Sequence, residues 1–178
     1  MSEKETFDDY YNSYRIWIEQ AASVLKASEF LKENDTAYKV LADNDNKNIT
    51  SEDIKNIGKY SFSDTILMLR SFGIECYFKA LYLLKGNVLY ENGSMNNSFG
   101  KGHDLTIMAE KLVHYMSFTE GDYSILYTLT FYNEMGRYPG MSSMSKQKTF
   151  TGDRMWSLYE DDDSYYKLLD KLRKATKV

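Results

Sequence analysis

SDTILMLRSFGIECYFKALYLLKG, residues Ser63 to Gly86, is the stretch whose reading decides the fold. Its apolar positions are Ile66, Leu67, Leu69, Phe72, Ile74, Tyr77, Phe78, Ala80, Leu81, Leu83 and Leu84. At helical spacing they cover almost every side, so the pattern predicts a helix over 63–85 that is buried all round, at the centre of a bundle. Gly73 and Ala80 stand two turns apart on one face, where a neighbouring backbone can approach closely. Gly86 reads as the C-terminal stop. Glu75 and Lys79 interrupt the apolar surface. They are spaced i, i+4 and can pair. On such a helix they need partners or a wet cleft, so they are either an ion pair at the core's edge or one wall of a polar pocket. Cys76, in the same helix, reads as a buried structural thiol, because apolar burial raises the thiol pKa and blocks access.

Working outward, a first helix is predicted from Thr6 to Glu33, with Tyr10, Tyr14, Trp17, Ala21, Val24, Leu25 and Leu31 as its stripe. The polar stretch Asn34 to Tyr60 carries one short helix, between the cap-like Thr50 and Gly58. Asn87 to Gly102, rich in Gly, Asn and Ser, reads as a loop. A third helix starts at an Asp104 N-cap and carries Leu105, Met108, Ala109 and Leu112. A fourth runs from Glu120 to Met135 with Ile125, Leu129 and Tyr132 as its stripe; Gly136 ends it and Pro139 keeps it from resuming. Residues 140–156 suggest no element. The last helix, Ser164 to Ala175, has acids before it and bases at its end, in the order that suits the helix dipole. The expectation is a single all-α domain over residues 1–178, an up-and-down bundle of about five main helices.

The whole chain agrees with that class. Its 178 residues bury enough surface to fold without disulfide or metal. One Pro suits long helices better than a turn-rich sandwich. One Cys excludes an internal disulfide and fits a reducing, cytoplasmic setting. Lys plus Arg is 22 against 26 Asp plus Glu, a net charge of −4, which argues against a protein that grips nucleic acid through a general basic coat. No stretch approaches the roughly 20 apolar residues of a membrane span, since Ile74 to Leu84 contains Glu75 and Lys79. Met1 to Asp9 is charged and lacks the apolar core of a leader.

Familiar catalytic motifs are missing. His103 and His114, on one helix, would stand about 16 Å apart at 1.5 Å per residue, too far to share a zinc ion. The acidic run Glu160 to Asp163 could hold a hard cation but reads first as a solvated helix start. Gly93, Gly100, Lys101 and Gly102 do not have Walker spacing. No Gly-x-Ser-x-Gly elbow occurs.

Three blocks, GIECYFKALYLLKG at Gly73 to Gly86, GHDLTIMAEKL at Gly102 to Leu112 and GRYPG at Gly136 to Gly140, come in the order found in the HEPN superfamily. The chain resembles that family, whose name abbreviates higher eukaryotes and prokaryotes nucleotide-binding. The blocks span less than half the chain. The resemblance implies a helical bundle, commonly a homodimer, without cofactor or metal. Such proteins accompany nucleotidyltransferases as partner proteins or serve toxin–antitoxin, phage-defence and RNA-processing systems. Many members are metal-independent ribonucleases with an Arg four to six residues before a His. Arg15, Arg70, Arg137, Arg154 and Arg173 all lack a His at that spacing. The resemblance therefore implies a non-catalytic module that binds nucleotide or RNA, or docks on a nucleotidyltransferase. The alternatives are a ribonuclease with a rearranged site using His103 or His114, and a helical adaptor without a small ligand.

The ligand-binding residues carried over by the match are Glu75, Lys79, His103, Asp104, Arg137 and Tyr138. Lys79 and Arg137 suit phosphate, and Tyr138 suits stacking on a base. Asp104 is equally a helix cap, and Arg137 a partner for a helix C-terminus. The helix order predicts that Lys79, His103 and Arg137 converge at one end of the bundle, with the third helix's N-terminus adding to the attraction for an anion. The aromatic surplus, 16 Tyr and 9 Phe, points to a homodimer interface.

Overall fold

The computed structural model describes residues 3–35, 62–96, 99, 103–137 and 162–177. Among these are six helices: α1 (Glu3–Tyr11), α2 (Tyr14–Asn34), α3 (Ser63–Leu84), α4 (Leu105–Leu112), α5 (Glu120–Arg137) and α6 (Asp162–Ala175). The chain is an all-α bundle with one small hairpin, β1 (Tyr90–Glu91) and β2 (Ser94–Met95).

α3 is the axle, as its all-round apolar surface predicts, and packs against α2, α4, α5 and α6. Ile74, Phe78, Ala80 and Leu81 on it are fully buried. α2 runs antiparallel to α3, and Leu25 of α2 meets Gly73. A Cβ built on Gly73 would lie 2.4 Å from a Leu25 methyl and 2.5 Å from its Cγ, so only glycine permits this approach. The far end of α3 closes in a Schellman motif. Gly86 has φ +81, its N–H donates to Leu83 O at 2.9 Å, and Asn87 N–H reaches back to Tyr82 O.

α4 buries Leu105, Met108, Ala109 and Leu112, the four expected residues. α5 buries Ile125, Leu129 and Tyr132. α6 turns Tyr165, Leu168, Leu169 and Leu172 inward, with Asp162 and Asp163 in its first turn and Arg173 and Lys174 in its last.

Four expectations need correction. The first helix is two. Asn12 spends its side chain on the hairpin: its Oδ1 accepts from Leu89 and Tyr90 N–H, both at 2.9 Å, and its Nδ2 donates to Tyr90 O at 2.7 Å. Ser13 is extended (φ −78, ψ 112) and α2 restarts at Tyr14. Tyr10 accordingly leaves the buried stripe and is 57% exposed. The Asn87–Gly102 loop contains a two-residue hairpin, Tyr90 opposite Met95, turned by Asn92 and Gly93 with φ of 55 and 75; both left-handed residues are those a type I′ turn selects. α5 continues through Gly136 to Arg137, because a lone glycine weakens a helix without ending it. α6 begins at Asp162, two residues early, since Asp162 reaches Lys32 and Arg70. The short helix expected near Thr50 to Gly58, and residues 140–156, lie outside the described residues.

Candidate functional site

The centre of the site is the Glu75 carboxylate, 4% exposed on α3. Its Oε1 accepts from Lys79 Nζ at 2.7 Å and lies 2.8 Å from His103 Nδ1. Its Oε2 accepts from Asn133 Nδ2 of α5 at 3.0 Å. One acid thus ties α3, the approach to α4, and α5 together. Burial alone would raise the Glu75 pKa. The bond from His103 and the charge and bond of Lys79 outweigh burial and bring the carboxyl down to about 2. It is ionised throughout the physiological range.

Lys79 lies one turn beyond Glu75 and is also buried, at 7% exposure. Its ammonium bonds Glu75 and sits 4.3 Å from the centroid of the Trp17 ring on α2. A cation over an indole face is attracted by the ring's quadrupole. Lys79 is therefore held in the interior, and the pair is more deeply buried than an ion pair at the core's edge.

His103 forms the rim, with its side chain 38% exposed. A carboxylate offers only acceptors, so Nδ1 carries the proton shared with Glu75, and in the neutral ring Nε2 keeps the lone pair. The backbone of His103 is left-handed (φ +62), a conformation that costs of order 1–3 kcal/mol and persists where surrounding bonds impose it. Here the Glu75 bond on one side and the α4 cap on the other impose it.

Asp104 is that cap. Its Oδ1 accepts from Thr106 N–H at 2.9 Å, Ile107 N–H at 3.2 Å and the Thr106 hydroxyl at 2.6 Å. Leu105 N–H donates to Thr130 Oγ1 of α5 at 3.0 Å. The first amides of α4 are thus bonded within the protein, so the attraction of this helix end for an anion is that of its dipole alone. Cys76 is buried and its thiol is pushed up to about 11, chiefly by burial.

Of the six predicted residues, Glu75, Lys79, His103 and Asp104 come together. Arg137 ends α5, one turn beyond Asn133, so the helix end stands near the Glu75 cluster. The Arg137 side chain and all of Tyr138 lie outside the described residues. Among the described residues no group of three or more His, Cys, Asp and Glu could hold a metal, and no helix is long and apolar enough to cross a membrane. The acidic run expected as a solvated helix start has Asp162 paired instead. His114 is exposed on the turn after α4.

Two members were missed by sequence reasoning. Asn133 is fully buried, and its signal was available: it stands four residues after Leu129 and eight after Ile125, an amide on an apolar stripe. Trp17 was assigned to the core stripe, which it does join, but nothing in its spacing revealed the cation above it.

A second buried cluster lies elsewhere on α3. Arg70, 4% exposed, donates to Asp162 Oδ1 at 2.8 Å, Tyr166 OH at 3.2 Å and Glu29 Oε1 at 3.3 Å, and its guanidinium lies 4.3 Å from the Tyr165 ring centroid. Lys32 also bonds Asp162, and Tyr166 OH donates to Glu29 Oε2 at 2.6 Å. This cluster pins the start of α6 to α2 and α3.

No family model, characterised protein or solved structure matches the chain.

Proposed function

We propose that the chain is a HEPN-like, non-catalytic module that binds a phosphate-bearing ligand, a nucleotide or RNA, at the rim of the Glu75 cluster. The observation that carries this reading is the partly exposed His103, fixed by a buried carboxylate, close to the end of α5 where Arg137 stands. Glu75 and Lys79 neutralise each other inside, so they orient the rim while His103 and Arg137 meet the phosphate. The ligand's charge is matched locally, which an overall charge of −4 permits.

Titration calorimetry with mononucleotides and a short single-stranded oligoribonucleotide tests this. Arg137→Ala is expected to weaken binding by about 1–3 kcal/mol, the range for a charge-assisted hydrogen bond, with little loss of stability. Binding is expected to fall with added salt. Equal affinity in wild type and Arg137→Ala contradicts the reading.

One observation favours a second reading. A carboxylate that accepts from Nδ1 fixes the imidazole in the way a general-base histidine is oriented. The expected result is still no RNA cleavage by the purified protein, because the Arg-to-His spacing is absent. Cleavage that disappears in His103→Ala replaces the binding module with a ribonuclease.

A further inference from the structure

α1 and the hairpin form a face of a different character, joined to the Glu75 cluster through Trp17, whose Nε1 donates to Tyr11 O at 2.9 Å and whose ring lies under Lys79. Four aromatic rings gather there. Phe7 lies 4.6 Å from Tyr11 and 5.5 Å from Tyr90, Tyr11 lies 5.1 Å from Tyr90, and Tyr10 lies 5.0 Å from Tyr11, centroid to centroid. Two of these rings are left in water: Phe7 is 40% exposed and Tyr10 57%. The face is rigid, because Asn12 makes three hydrogen bonds to Leu89 and Tyr90, and the Asp8 carboxylate accepts from Gly93 N–H at 3.0 Å. A pre-ordered aromatic face loses little entropy on binding.

Its charge decides what it suits. The charged side chains described on α1 are Glu3, Asp8 and Asp9, all acidic, of which Glu3 stands one turn before Phe7 on the aromatic side, and Glu91 adds an exposed acid on the hairpin. Such a face repels phosphate, so it is no extension of the nucleotide site. Aromatic faces beside carboxylates attract guanidinium, which stacks on the ring and forks onto the acid. We propose that this face docks an arginine-bearing basic segment of a partner protein. Lys79 over Trp17, and Arg70 over Tyr165, are the same pairing made inside this chain.

Fluorescence anisotropy of the full chain with a fluorescein-labelled peptide of alternating Gly and Arg is the test. Wild type is expected to bind it more tightly than the Gly/Lys counterpart. Tyr10→Ala is expected to weaken binding about threefold or more, the effect of one exposed cation–π contact. Glu3→Lys is expected to weaken it further, whereas Glu110→Lys, the same charge change at an exposed site on α4, leaves it within about twofold, as general screening at a distance allows. Arg137→Ala is expected to leave it unchanged, which separates this face from the nucleotide site. Tyr10 is exposed, so circular dichroism of Tyr10→Ala should match wild type. No binding by wild type, equal losses in Glu3→Lys and Glu110→Lys, or unchanged binding in Tyr10→Ala overturns the proposal. So does sedimentation showing that Tyr10→Ala splits a dimer, which assigns the face to a second copy of the chain.

Discussion

Replacing Glu75 with alanine is expected to destabilise the bundle by about 3–5 kcal/mol, measured by urea unfolding. The loss exceeds that of a deleted contact because Lys79, 7% exposed, keeps its charge and loses its anion. His103 loses the bond to its ring, and Asn133 loses the acceptor for its amide. Glu75→Gln is expected to cost less. Its amide can still accept from Lys79 and His103, and the Asn133 side chain can turn to present Oδ1, which is buried and has no hydrogen-bond partner among the described residues. Adding Lys79→Met to Glu75→Ala is expected to recover part of the loss, because no charge is then stranded.

Glu75 also sets an acid limit. Its folded pKa of about 2 lies below its ordinary value of 4.5. The unfolded chain therefore takes up a proton first as pH falls. The stabilisation is complete above about 4.5 and is lost as pH drops toward 2, about 3 kcal/mol for a shift of this size. Asp122 is lowered in the same direction: burial opposes this, and the bond from Lys171 and those from Thr119 prevail. In Glu75→Gln, the fall in stability between pH 4.5 and 2 is expected to be markedly shallower than in wild type.

The second large effect belongs to Arg70. Arg70→Ala is expected to cost about 2–3 kcal/mol, since a buried guanidinium with two carboxylate partners, a tyrosine hydroxyl and a stacked ring is removed at once. The damage should centre on α6, whose first residue, Asp162, loses one of the cations that it bonds. Hydrogen exchange should show loss of protection along α6 before α3. Arg70→Lys is not expected to restore it, because an ammonium cannot fork to Asp162 and Glu29 while stacking on Tyr165. Full protection of α6 in Arg70→Ala would show that apolar contacts through Leu168 and Leu172 suffice to dock it.

Much of the bundle was legible because its signals are local. α3 announces its burial by being apolar on every side, Gly86 its left-handed cap, and Asp104 its role at the start of α4. Glu75 and Lys79 were legible as misfits, charges on a helix that has no wet face. The same logic extends to Arg70, another charge on that helix, and to Asn133 on the stripe of α5. What was not legible depends on contacts between residues remote in sequence. Asn12 breaks the first helix because it bonds Leu89 and Tyr90, 77 and 78 residues away. No periodicity encodes that choice. The bond that Thr130 offers Leu105 N–H at the start of α4 was not legible either, because Thr130 lies 25 residues further along. The left-handed backbone of His103 is likewise a tertiary consequence, with only the short sequence Gly102-His103-Asp104 as its local context.

The central claim is that Glu75 presents His103 as the rim of a phosphate site. Long-range proton–nitrogen correlation of the imidazoles during nucleotide titration tests it most directly, and the chain has only two histidines to assign. The account predicts a proton on Nδ1 of His103 in the free protein, and movement of the Nε2 signal of His103 but not of His114 as nucleotide is added. An unprotonated Nδ1 in the free protein, or His103 signals that stay fixed at saturating nucleotide, would contradict it.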